Sequence, residues 1–140
     1  MAHDLAEHPS RLSLSSRLHG GPAASGRGLR VLEIGRQGGE ALIALAFHDP
    51  EGVYLGAYED PASVEAGRAA AAEIGLSNVR FEPVSLDEPP VDLGVFDVVM
   101  AREALAWAPE AARTEVLRLC RASLSESGIL ALGYPVFPGA

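Results

Sequence analysis

From Leu29 onward the chain alternates strand-like and helix-like segments, which predicts an α/β domain built on a doubly wound, mostly parallel sheet of about five strands. Three observations carry this prediction. Short apolar runs bounded by glycine or polar residues recur with room for a crossover helix between them. The intervening segments carry helix start and stop signals. The first run, "VLEIG", passes through "RQGG" straight into the helical "EALIALAFH".

Each element follows from its own residues. "LRVLEI" is an apolar run between glycines and reads as strand 1. "GEALIALAFH" has helical composition, and "GVYLGAY" reads as strand 2. The next helix, "PASVEAGRAAAAEIG", has Asp60 as candidate N-cap, Pro61 at the first helical position and Gly75 just past its end. "NVRFEPVSL" reads as strand 3, weakened by Pro83, and "VFDVVMA" as strand 4. In "PEAARTEVLRLCRASL" a helical stripe runs through Ala112, Val116, Leu119 and Cys120. "GILALGYPV" reads as strand 5. Residues 1–28 stand apart: "HPSRLSLSSRLHGG" reads as one weak helix and "GGPAASGRG" as a flexible connector, so the domain proper is expected over 29–140.

Composition narrows the function classes. The chain has 140 residues, enough for one core, with a net charge of −8 and no lysine. An acidic chain without a basic cluster is a poor nucleic-acid binder, because phosphate neutralisation supplies most of that affinity. The longest apolar run, Ala41 to Phe47, is far short of the roughly 20 residues of a membrane helix. The single cysteine, Cys120, excludes an internal disulfide and fits a cytoplasmic location. His3, His8, His19 and His48 lack metal-ligand spacing, so no metal is expected. In a sheet of this kind ligands bind beyond the carboxyl ends of the strands. That rule marks Gly35–Gly39, Tyr58–Asp60, Val84–Asp87 and Ala101–Glu103.

Taken in order, "VLEIGxxxG", "GLSNVRFEPVSL", "FDVVMAREALAWAP" and "GILALGYPVFPG" resemble class I S-adenosylmethionine-dependent methyltransferases. The likeness is greatest to the bacterial group whose methyltransferase domain precedes a methyltransferase regulatory domain, and it includes "HPSRL", "WAP" and "YPVFPG". The resemblance implies S-adenosylmethionine as cofactor and assigns positions to it. Glu33 matches the acid near the cofactor amino group, and Gly35 and Gly39 match the first and last loop glycines. Gln37 stands at the middle glycine, Tyr58 at the ribose-binding acid with Glu59 beside it, and Ser85 at the adenine-side acid. Ala101 and Arg102 take the methyl-donor end, while Trp107 reads as packing.

These departures predict weak cofactor binding or none, and imply that Gln37→Gly with Tyr58→Asp would tighten it. The family also continues past strand 5, whereas this sequence ends at Ala140. Strand 5 is therefore expected as an open edge, available to a protein partner, to a second copy or to the rest of a longer protein. Two functions follow from the resemblance: a methyltransferase acting on a protein or small molecule, or a non-catalytic domain of the same fold acting through protein contacts. A nicotinamide-binding Rossmann domain fits less well, for the chain lacks G-x-G-x-x-G and an acid at position 58.

Overall fold

The computed structural model describes residues 28–90, 92–102 and 109–133. Eight elements follow one another: β1 (Arg30–Gly35), α1 (Glu40–His48), β2 (Val53–Tyr58), α2 (Pro61–Glu73), β3 (Val79–Pro83), β4 (Phe96–Arg102), α3 (Glu110–Ala122) and β5 (Leu124–Gly133). The strands form one sheet in the order β3-β2-β1-β4-β5, and all four pairings are parallel. This is the doubly wound sheet expected from the sequence. The proposed N-terminal helix, Trp107 and "YPVFPG" lie outside the described residues.

The side-chain period of two divides the core between the sheet faces. Leu32, Ile34, Leu55, Ala57, Val99 and Ala101 pack with Val116, Leu119 and Cys120 of α3. On the other face Val31, Tyr54, Tyr58, Val98 and Met100 pack with Leu42 and Ala46 of α1 and Val64 and Ala71 of α2. Both faces of β1 are therefore buried, which is why it reads as an unbroken apolar run rather than an alternating one.

Helix ends follow local chemistry. Asp60 caps α2 by accepting from the Ala62 amide at 3.1 Å, with Pro61 at the first turn. Gly75 follows the α2 C-cap at φ 74°. Two boundaries differ from expectation. β3 is five residues long and stops at Pro83, after which Val84 and Leu86 pack into the α3-side core. β5 begins at Leu124 instead of Gly128. Phe96 pairs with Leu124 and Val98 with Ile129, so a bulge absorbs the polar "SESG".

Gly67 shows how closely α2 sits on the sheet: a Cβ there would lie 2.9 Å from the Phe81 ring. Gly67→Val is expected to cost about 1–3 kcal/mol in a urea melt, because the helix must lift. A second prediction concerns pH. Burial pushes the Cys120 thiol up to about 11 from an ordinary value of 9. Burial and the hydrogen bond to Asp49 also push the Tyr54 phenol upward. A folded-state pKa above the unfolded one stabilises the fold below the unfolded value. Stability should thus hold to about pH 9 and fall by on the order of 2–3 kcal/mol through pH 11 from the thiol alone. Cys120→Ala should remove that part of the slope in melts taken across the range.

Candidate functional site

At the carboxyl ends of β1 and β2 the two strands stay stitched together beyond their last residues. Glu59 donates its amide to the Gly35 carbonyl at 3.0 Å and Asp60 to the Arg36 carbonyl at 2.7 Å. The loop Gly35–Gly39 then turns into α1, with Gly39 as N-cap at φ 122°. Glycine takes that angle with little strain, while most residues do not.

Beneath the loop lies a buried polar pair. Glu33 points to the α1 and α2 face and is 2% exposed. Tyr58, fully buried, donates its hydroxyl to Glu33 Oε1. Two glycines make this possible. Gly56 is the β2 partner of Glu33, and a Cβ there would lie 2.8 Å from the Tyr58 ring. A Cβ on Gly38 would lie 2.6 Å from Glu33 Oε1 and 2.9 Å from Tyr58 Cε1. The tyrosine thus leans back over Gly56 and fills the space below Gly38. Phe81 lies beside it, ring centroids 6.1 Å apart.

Above this floor an open cleft of about 1190 Å³ runs between the start of α1 and α2. Among the described residues four acids, Glu33, Glu40, Glu59 and Asp60, and one cation, Arg36, line it. Its α2 wall is made of small residues, Ala62, Ala66, Gly67 and Ala70. Glu59 sits at the mouth. One carboxylate oxygen lies 3.7 Å from Arg36 Nε, and the other accepts from the Leu86 amide at 3.3 Å. It thereby ties together the loops that follow β1 and β3.

Of the residues singled out in the sequence, Glu33, Gln37, Gly39 and Glu59 line this cleft. Four do not. Gly35 ends β1 within the sheet, paired with Tyr58. Tyr58 lies below the floor, because the glycines at 38 and 56 leave an aromatic ring room only inward. Ala101 is fully buried, paired with Ile34 and packed in the α3-side core, so it presents no side chain at the crevice. Ser85 is exposed, and its hydroxyl accepts from the Glu88 amide at 3.2 Å, closing a local turn. Arg36 is the residue that sequence reasoning passed over. The signal was its place directly after the first loop glycine.

Comparison with known proteins bears on the same segment. A methyltransferase-domain family model matches residues 31–128. The chain belongs to the methyltransferase domain family. It is 26% identical over 132 residues to the uncharacterized protein RP789 of Rickettsia prowazekii, covering 94% of this chain and 24% of that one. Among solved structures it resembles PKMT2 from Rickettsia typhi in complex with AdoHcy, with TM-score 0.84, 23% identity, and 97% and 26% of the two chains covered. It also resembles the [4+2]-cyclase SpnF, with TM-score 0.62, 28% identity, and 76% and 38% covered. The chain spans about a quarter of the length of RP789 and of PKMT2.

The geometry revises one expectation. Tyr58→Asp would leave a void the size of an aromatic ring and set a second carboxylate beside buried Glu33. It should destabilise the fold instead of restoring a ribose ligand. The milder Tyr58→Phe removes only the donor to a buried carboxylate, and should lower unfolding stability by about 1–3 kcal/mol in urea. Gly38→Ala, which drives a methyl between the pair, should cost as much or more.

Proposed function

We propose that residues 29–140 form the cofactor-binding core of an S-adenosylmethionine-dependent methyltransferase acting on a protein or small molecule. The observation that carries this reading is the convergence of Glu33, Gln37, Gly39 and Glu59 on one cleft at the carboxyl ends of β1 and β2, within the span of the family match. The AdoHcy held by the PKMT2 structure supports it.

The residues present fit such a ligand in part. The Glu59 carboxylate is the acid at the crevice mouth suited to accept from a ribose diol. Asp60 is committed to capping α2, and Tyr58 is turned inward. Gly38 and Gly39 let the loop backbone lie close to a bound nucleoside, and the Gln37 side chain offers amide groups beside it. Glu33 closes the floor. When bound, the cofactor supplies an electrophilic sulfonium methyl, and the protein's task is to position it and to exclude water. The four acids around one arginine among the described lining residues favour the cationic methyl donor over its neutral product.

A second reading is a non-catalytic domain that works through protein contacts. The burial of Tyr58 in place of a ribose acid favours it, and so does β5, which has a strand partner on only one side among the described residues. A strand from a partner or a second copy would fit that edge. No described helix is long and apolar enough to cross a membrane. The buried free thiol of Cys120 suits a cytoplasmic setting.

Calorimetric titration with S-adenosylhomocysteine separates the two readings. Sub-millimolar affinity, about 4 kcal/mol or more of binding free energy, supports the enzyme. No heat at millimolar ligand supports the contact module. Glu59→Gln should weaken binding roughly tenfold to a hundredfold.

A further inference from the structure

Arg36 occupies the loop position directly after the first glycine, and two contacts set it over Glu59, which a third contact holds in turn. Its carbonyl accepts the Asp60 amide at 2.7 Å, which anchors its Cα above the turn between β2 and α2. Its guanidinium Nε stands 3.7 Å from Glu59 Oε1. The other oxygen, Oε2, is held by the Leu86 amide at 3.3 Å. Both oxygens that a ribose diol would use are therefore engaged by the chain itself. The pair is open to water, with side chains 62% and 37% exposed, so it is weak enough to open and sensitive to salt.

We propose that Arg36 is an internal competitor for the ribose-binding carboxylate: its guanidinium holds Glu59 across the crevice, and a nucleoside must displace it to bind. This rests on the reading of Glu59 as ribose acid given above. The backbone contact from Leu86 keeps the carboxylate at the mouth when Arg36 lets go, so displacement frees one oxygen without losing the position of the group. Arginine suits this task because it stays charged at any working pH and its long side chain can swing into solvent. The contact also gives the crevice a closed form and an open form that differ by one ion pair.

The test is titration of S-adenosylhomocysteine and its 2′-deoxy analogue into the wild type, Arg36→Gln and Glu59→Gln, at low salt and at about 0.5 M salt. With the competitor removed, Arg36→Gln should bind S-adenosylhomocysteine about two- to fivefold tighter at low salt, matching the weakness of an exposed pair. Wild-type affinity should rise with salt, and that rise should vanish in Arg36→Gln. The gain should shrink for the 2′-deoxy analogue, which has less to draw from the freed oxygen. Equal or weaker binding by Arg36→Gln, while Glu59→Gln still weakens binding, overturns the competitor and leaves the ribose acid standing. Unchanged binding by Glu59→Gln overturns the ribose acid, and the competitor with it. Absence of binding by all three proteins overturns both, together with the methyltransferase reading.

Discussion

The hydrogen bond from Tyr58 to Glu33 is the constraint from which the site is built. A carboxyl group 2% exposed between sheet and helices needs a donor, since burial of an unsatisfied charge costs far more than a single bond returns. One of its two neighbouring strands, β2, supplies one from Tyr58, two residues beyond the partner of Glu33. That reach requires an empty lane over position 56 and an empty ceiling at position 38, and both are glycine. Phe81 fills the remaining space and in turn requires glycine at 67. The shape of the loop Gly35–Gly39 is thus set from below, by an aromatic pair and a carboxyl group. That is a structural demand for glycine, separate from any ligand lying above.

Three adjacent residues then divide the work at the end of β2. Tyr58 faces inward and anchors Glu33. Glu59 faces the crevice and bridges the loops after β1 and β3. Asp60 faces the next helix and caps it. The alternation of a strand explains the first two directions, and the start of α2 explains the third. The acid that a nucleoside could meet is displaced by one residue from the strand-end position, and its place at the crevice mouth is secured by neighbours on two different loops.

The sequence made the fold legible because its signals are local. Pro61 and Gly75 bracket α2, the apolar stripe through Val116 and Leu119 marks α3, and short apolar runs separated by helix-length segments mark a parallel sheet. The early start of β5 escaped this reading because "SESG" is polar and glycine-ended, and only pairing with Phe96 draws Leu124 into the sheet. The direction of Tyr58 escaped it for a related reason. It depends on the register that sets Gly56 against Glu33, and on Gly38 folding over the top, contacts between residues distant along the chain. A motif comparison sees only which residue type stands at position 58. It cannot see that the neighbours have been made small enough to take an aromatic ring in.

That difference bears on how the loss of a motif acid should be weighed. A tyrosine at position 58 removes a carboxylate from the expected place, but it does not fill the crevice, because its ring lies below the floor. The volume above remains open between α1 and α2, rimmed by Glu40, Glu59 and Asp60. The substitution therefore changes which carboxylate the crevice presents and leaves the crevice open. Resemblance of fold does not decide the chemistry carried out above that floor, since this chain's backbone also follows that of a [4+2]-cyclase. On the proposal made above, a nucleoside reaching that floor first meets one exposed ion pair, Arg36 with Glu59, and binding turns on which partner the carboxylate keeps.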